Sequence, residues 1–463
     1  MIRIFRVSIP DSVVALLVSD AILLYTCFTI AAFLSLDVDP VVFLRYDDGW
    51  TRILIVVLSV VAGLYFHDLY TYFRIQSKAL LVQQVGVSVG VAFLVQALLV
   101  YLGWRDLFVP TWLMIVGGAV VLVLLPLWRI FYGKVAFRAV GSEQVLFLGC
   151  SPLVQDICAH WAEHPETGLT AIGCLDDRQG DFSPEGVPLL GAITDIDSVV
   201  ERLRPARIVV GLTERRNRMP VEQLLNMRLA GIHIEDAAAT YETTFGRVST
   251  RELRPAQLIF TSNLGPNPKR VLFQTIYSTL IAVIAALLAA PLMLLVAIAI
   301  RLTSRGPVLF RQQRVGRNDV PFTLYKFRSM IQDAEQMSGA VWAAKDDPRI
   351  TGLGRWLRKL RLDELPQLFN VLTGAMSIVG PRPERPEFVA ELEKRIPFYR
   401  QRHCVKPGIT GWAQINHKYG DSIEDTIAKL EYDLYYIKNL SPALDALIMF
   451  HTAKVMLLSR GSQ

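Results

Sequence analysis

Cysteine is scarce and scattered in this chain of 463 residues. The five, Cys27, Cys150, Cys158, Cys174 and Cys404, form no C-x-x-C pair and no cluster with histidine. Neither a disulfide framework nor a zinc site is legible, and small buried thiols are expected. A G-x-G-x-x-G is missing as well. The turn after the first strand candidate reads "GCSPLV" (149–154), with one glycine where close approach to a pyrophosphate wants three. That argues against a dinucleotide site of the usual kind. The first apolar run has no small-x-small cleavage site after it, so it reads as an anchor rather than a removed leader. Charge is thin too: 19% of residues are charged against 52% hydrophobic, and mean hydropathy is +0.36. This excludes an ordinary soluble chain and points to membrane segments.

What is present falls into three parts. Apolar runs cover 13–34, 53–66, 80–102 and 108–127. A spanning helix needs about 20 residues, so the second run spans only with its flanks. Arg3, Arg6, Arg74, Lys78, Arg129, Lys134 and Arg138 fall on one side of a four-span arrangement, and Arg45, Arg52 and Arg105 on the other. The positive-inside rule then puts the N-terminus and everything after residue 134 in the cytoplasm. Asp20, inside the first span, reads as a helix-packing contact or a functional intramembrane acid.

From Gln144 the pattern changes. "QVLFLG" (144–149), "TAIGCLDD" (170–177) and "RIVVGL" (207–212) are strand candidates, and 152–164, 194–203 and 219–229 are helix-like. Alternating strands and helices predict a parallel sheet, which reads as a degenerate Rossmann-like module for regulation or dimer contacts, with nucleotide binding as the alternative. A fifth apolar run, 271–300, is flanked by Lys269 and Arg270 before and by Arg301 and Arg305 after. Crossing would strand one basic cluster on the wrong side. Pro291 in its interior should interrupt it. The expectation is a re-entrant helix hairpin at about 271–301 with both ends at the cytoplasmic surface; the alternative is a kinked spanning helix.

The chemistry concentrates in the last third. In "TGLGRWLRKLRL" (351–362), Leu353, Trp356, Leu357 and Leu360 recur at helical spacing among arginines and a lysine, an amphipathic helix suited to a headgroup layer. The tail 442–460 is similar and more weakly patterned. Asp363 and Glu364 are expected to close this basic helix. Adjacent acids on a helix diverge by about 100°, so the two divide their labour: one attacks or accepts a proton, the other holds a metal. Arg328, Arg358 and Arg382 offer two-pronged donors to phosphate and Lys326 a point charge. Prolines on both sides of Arg382 restrict the backbone that aims it. The surrounding cations should keep Asp363 ionised. Taken alone, such a pair near arginines is also what a surface salt-bridge patch looks like.

Three longer stretches, "GPVLFRQQRVGRNDVPFTLYKFRSM" (306–330), "DDPRITGLGRWLRKLRLDELPQLFNVLTGAMSIVGPRP" (346–383) and "KPGITGWAQIN" (406–416), resemble the bacterial sugar transferase family of monotopic phosphoglycosyl transferases. The layout resembles the family's large branch. "MIRIFRVSIP" (1–10) and "YETTFGRVS" (241–249) resemble members associated with exopolysaccharide and PEP-CTERM loci.

The resemblance implies a membrane protein in three domains: a transmembrane four-helix bundle (1–138), a Rossmann-like α/β regulatory domain (139–262) and an α-rich monotopic catalytic domain (263–463). It implies transfer of a sugar 1-phosphate from a UDP-sugar to undecaprenyl phosphate at the cytoplasmic face of the bacterial inner membrane, with UMP released. Asp363 would be the nucleophile that carries the phosphosugar, and Glu364 the acid that organises Mg²⁺. Arg358 and Arg382 would contact phosphate and nucleotide, with Lys326 and Arg328 contributing, and Pro291 would break the re-entrant helix. Inner-membrane lipids and a second copy of the chain are the further partners implied; nucleic acid is not. One departure is visible: this chain reads "LRLDE" where many relatives have serine before Leu-Asp-Glu, and the expected effect is on packing. Rival readings are a glycosyltransferase that releases UDP, a non-enzymatic membrane scaffold or regulator, and phosphosugar transfer in one step with both substrates bound together.

Overall fold

A computed structural model describes residues 2–4, 7–9, 11–36, 39–70, 78–139, 143–177, 186–212, 218–251, 267–332, 347–417 and 422–457. Arg6, Arg74, the expected boundary at 262/263 and residues 458–460 of the tail lie outside them. The chain divides into two compact units, with the second beginning in the main at Asp236.

The first unit opens with α1 (Asp11–Ser35), a short α2 (Pro40–Tyr46), α3 (Gly49–Phe66), α4 (Lys78–Tyr101) and α5 (Thr111–Ala139). Four of these are long and apolar enough to cross a membrane. The second run does borrow its flank, starting at Gly49, while α2 is an element the sequence did not announce. α1 packs on α5 and α3, and α4 on α3 and α5. Asp20 is fully buried and ion-paired with Arg129 at 2.5 Å. It also accepts from the Tyr70 hydroxyl at 3.0 Å. Breaking such a pair leaves an uncompensated buried charge, at roughly 3–5 kcal/mol, so Asp20 is a helix-packing contact.

The α/β part follows as β1 (Glu143–Leu148), α6 (Pro152–Glu163), β2 (Leu169–Leu175), β3 (Leu189–Gly191), α7 (Ile196–Leu203), β4 (Arg207–Val210), α8 (Val221–Leu229) and β5 (His233–Asp236). The sheet order is β3-β2-β1-β4-β5, and β1 pairs in parallel with β2 and β4. Val145 to Leu148 are wholly buried, as a central parallel strand covered on both faces requires. The strand order reverses between β1 and β4, where an open α/β sheet offers a ligand crevice. Among the described residues the backbone at this edge is tightly packed. A Cβ on Gly211 would stand 2.3 Å from Val154 Cγ2 and 3.0 Å from the Gly149 carbonyl. The Cys150 N–H, a donor that could face a phosphate, donates instead to Asp176 Oδ2 at 2.9 Å. Asp176 in turn pairs with Arg218 at 3.0 Å. The cysteine expectation needs correction: Cys150 and Cys174 form a disulfide across β1 and β2, which spacing alone could not reveal, whereas Cys27 and Cys158 are buried thiols.

The second unit comprises α9 (Ala237–Phe245), α10 (Pro268–Thr303), β6 (Leu309–Val315), β7 (Pro321–Phe327), α11 (Gly352–Lys359), α12 (Gln367–Leu372), β8 (Ser377–Val379), α13 (Pro386–Arg395), β9 (Gly408–Thr410), α14 (Trp412–Asn416), α15 (Ile423–Asn439) and α16 (Pro442–Leu457). Within it α9 docks on α15 and its surroundings: Lys438 Nζ lies 2.6 Å from Glu242 Oε2, and the Trp412 indole donates to the Gly246 carbonyl at 2.7 Å. The core is built from α15 and α16, with Leu434, Tyr436, Leu444 and Ile448 buried.

α10 starts at a cap, Asn267 accepting from Lys269 N at 3.0 Å, with proline in the first turn. It is one continuous helix of 36 residues with Pro291 inside it. The expected interruption is therefore corrected: proline forfeits one hydrogen bond, and packing on both sides of it keeps the helix intact. Its first half packs through Ala282 on Leu324 and Leu368, its second through Val296 and Ile300 on Phe327 and Leu357. Both halves thus contact the same scaffold. The remaining faces leave Leu272, Ile276, Leu280, Leu287, Leu288 and Leu295 exposed, an apolar surface that requires lipid or protein around it.

Candidate active site

Asp363 and Glu364 do not close the basic helix as the sequence suggested. α11 begins at Thr351, whose hydroxyl accepts from Gly354 N at 2.9 Å. Gly354 is required there, since a Cβ would fall 1.9 Å from the Ser329 carbonyl. The helix ends at Lys359, and Arg361 then takes a left-handed φ of 53°, an uncommon conformation for a residue with a Cβ. The chain is redirected, and Leu362–Glu364 form a separate 3-10 turn. Leu362 and Leu365 anchor that turn against Val296, Ile300 and Phe327. Asn370 ties α12 to β7, accepting from Tyr325 N at 3.0 Å and donating to the Thr323 carbonyl at 2.7 Å. This fixes the strand that carries Lys326.

Around the turn, three expected residues converge. Arg382 Nη2 lies 3.0 Å from Glu364 Oε1, and Lys326 Nζ lies 3.5 Å from the same oxygen. Arg358 acts electrostatically on Asp363, and its Nη1 is buried with no hydrogen-bond partner among the described residues, an unsatisfied donor. Arg328 does not join them. Its guanidinium donates to the Ser304 and Arg305 carbonyls at 3.0 and 2.9 Å and to Ser304 Oγ at 2.6 Å. It ties the end of α10 to the segment after β7.

Two adjacent carboxylates are pushed in opposite directions. Burial and the Glu364 charge raise Asp363 to about 6, against the pull of Lys326, Arg358 and Arg382. Desolvation outweighs the cations on this group, and at about 6 Asp363 is still mostly ionised near neutrality. Burial also pushes Glu364 up, but Arg382, Lys326 and Arg361 outweigh it and hold that carboxyl at about 2. A pair whose environments separate its pKa values can divide nucleophilic and electrostatic duties. Arg361 was missed as a site residue. The departure at "LRLDE" was its signal, and its effect is on charge as well as packing.

An apolar cavity of about 450 Å³ opens beside Glu364 and Arg361. Ala285, Leu288 and Ala289 of α10 form one wall, and Thr452, Val455 and Met456 of α16 another. Its size falls within the ~300–1,000 Å³ of small-molecule sites. No cluster of three or more His, Cys, Asp or Glu able to hold a metal exists among the described residues. Mg²⁺ needs fewer protein ligands than such a cluster, one or two carboxylates completed by substrate phosphate oxygens.

Comparison with known proteins bears on this geometry. Residues 269–459 match the bacterial sugar transferase family, and residues 65–225 match a CoA-binding domain family. A UDP-N-acetylgalactosamine-undecaprenyl-phosphate N-acetylgalactosaminephosphotransferase from Aeromonas hydrophila is 40% identical over 343 residues, covering 74% of this chain and 73% of that protein. The chain belongs to the bacterial sugar transferase family. This sugar transferase is also 34% identical over 381 residues to a UDP-glucose:undecaprenyl-phosphate glucose-1-phosphate transferase from Xanthomonas campestris pv. campestris, covering 78% of this chain and 76% of that protein. An exopolysaccharide production protein from Rhizobium leguminosarum bv. phaseoli is 46% identical over 182 residues, 38% of this chain and 90% of that protein. Family membership makes the chain an enzyme of the phosphoglycosyl transferase class, and its apolar helices make it a membrane protein.

Proposed function

We propose that this enzyme transfers a sugar 1-phosphate from a UDP-sugar to undecaprenyl phosphate through a phosphosugar carried on Asp363. The observation that carries the reading is the split pair: a buried, ionisable Asp363 beside a Glu364 pinned by Arg382 and Lys326. A carboxylate oxygen of Asp363 attacks the sugar-bearing phosphorus of the donor. The bond from that phosphorus to the bridging oxygen breaks, and UMP leaves with the electron pair. A phosphate oxygen of the lipid acceptor then attacks the same phosphorus, and the acyl-phosphate bond breaks to return the carboxylate. Both steps crowd negative charge, which Arg358, Arg382 and Lys326 are placed to offset. Splitting the transfer lets a soluble donor depart before a lipid acceptor enters. Mg²⁺ would be held by Glu364 with the donor diphosphate, where it would neutralise phosphate charge.

The apolar cavity beside Glu364 is the seat for the first isoprene units of the acceptor, whose phosphate would then stand at the carboxylate turn. α10 carries basic residues at both ends, and both halves pack on the same unit. This supports a helix that bends at Pro291 without breaking there and so enters and leaves on one face of the membrane, with the active site at the cytoplasmic surface and α1, α3, α4 and α5 as a membrane bundle. The test is the nucleotide product. Membranes carrying the enzyme, given a UDP-sugar and undecaprenyl phosphate, should release UMP. Release of UDP, or activity undiminished in Asp363→Asn, would refute the reading.

A further inference from the structure

Four consecutive carbonyls in the "PRPE" segment, residues 381–384, are each held from outside. The Pro381 carbonyl accepts from Gly408 N at 2.9 Å, and that of Glu384 from Val315 N at 2.9 Å. The two between them are held by arginine side chains. Arg402 Nη2 donates to the Arg382 carbonyl at 3.0 Å, and Arg314 Nη1 to the Pro383 carbonyl at 3.1 Å. Arg402 is itself locked. Its Nη1 donates to the Tyr399 hydroxyl at 2.6 Å, and its Nη2 lies 2.8 Å from Asp433 Oδ2, with both side chains almost fully buried. The backbone of Arg382 is thereby fixed from behind while its guanidinium reaches forward to Glu364.

We propose that Arg402, with Asp433 as its counter-ion, is a positioning residue that aims Arg382 at the carboxylate turn. The inference rests on the reaction proposed above. A buried ion pair adds little net stability over apolar residues of the same volume, so stability alone accounts poorly for a full charge at this place. Aiming accounts for it. Arginine is the side chain that can fork to a carboxylate, a hydroxyl and a carbonyl together. Catalytic groups also lose much of their effect when displaced by about an ångström. Sequence reading marked Arg382 and its prolines; it could not mark Arg402 and Asp433, which lie 20 and 51 positions further on.

The experiment is a coupling measurement on the full-length enzyme in membranes, reading UMP release per folded protein. Arg402→Met should lower kcat about tenfold and change KM for the UDP-sugar less. In an Arg382→Met background the same change should cost less than a further twofold, because the residue being aimed is gone. Arg402→Lys keeps a charge for Asp433 but cannot fork to three partners, so it should retain the wild-type melting temperature and still lose kcat. Multiplying losses in the double variant, or wild-type kcat in Arg402→Lys, would overturn the inference. Absence of UMP from the wild-type enzyme would instead overturn the proposed reaction, so the two failures are distinguishable.

Discussion

Arg382→Met is the perturbation whose cost is most directly legible in the geometry. Glu364 stands at about 2 against an ordinary 4.5 even though burial pushes it the other way. With burial opposing it, that lowering puts the attraction of its cations at roughly 3 kcal/mol or more. Arg382 is first among these and makes the shorter contact, 3.0 Å against 3.5 Å for Lys326. Assigning it about half gives roughly 1.5–2 kcal/mol, or a loss of about tenfold to thirtyfold in rate if that field is used in the transition state. The assay is initial UMP release from a UDP-sugar by membranes at neutral pH, normalised to enzyme present. Arg382→Lys should fall between, since it keeps a charge and loses the planar fork. A rate within twofold of wild type in Arg382→Met would refute the claim that Glu364 works through its guanidinium partner.

Two more expectations follow from the site. Asp363 must be ionised to attack, and burial raises it to about 6. The kcat/KM for donor should therefore be flat near neutrality and fall tenfold per unit below about pH 6; a limb centred near 4 would contradict the desolvated carboxylate. Ala289 and Val455 line the apolar cavity from opposite walls. Filling it with Ala289→Trp or Val455→Trp should raise the KM for undecaprenyl phosphate by about tenfold or more, since each apolar group kept from burial costs about 0.8 kcal/mol per methylene. An unchanged acceptor KM would place the lipid elsewhere.

Much of the site was legible because its residues are close in sequence. Asp363 and Glu364 are adjacent, and the prolines that restrict Arg382 are its neighbours, so local chemistry announced both. Lys326 was legible from its place among cations in a single stretch. Arg328 lies two positions further on, just past the end of β7, yet the end of α10 occupies it, and only tertiary packing decides which cation reaches the carboxylate turn. The left-handed turn at Arg361 was hidden for a related reason. Nothing local favours a positive φ at arginine; the anchoring of Leu362 and Leu365 imposes it. The four long apolar helices of the first unit follow from hydropathy and length, which need no tertiary information. The unbroken α10 does not, because proline's local preference was outweighed by contacts on both of its sides. In the α/β part, strand alternation announced the sheet. The carboxylate of Asp176 on the Cys150 N–H joins residues 26 apart and was invisible in either stretch alone.

The central claim is that the transferred phosphorus is bonded for a time to the enzyme. The direct measurement mixes purified full-length enzyme with a UDP-sugar and Mg²⁺, without lipid acceptor, quenches it in acid and analyses the peptide containing residue 363 by mass spectrometry. One equivalent of UMP with a sugar-phosphate mass increment on Asp363, discharged when undecaprenyl phosphate is added, is the predicted result. UMP that appears only when acceptor is present, with no increment on that peptide, would contradict the account.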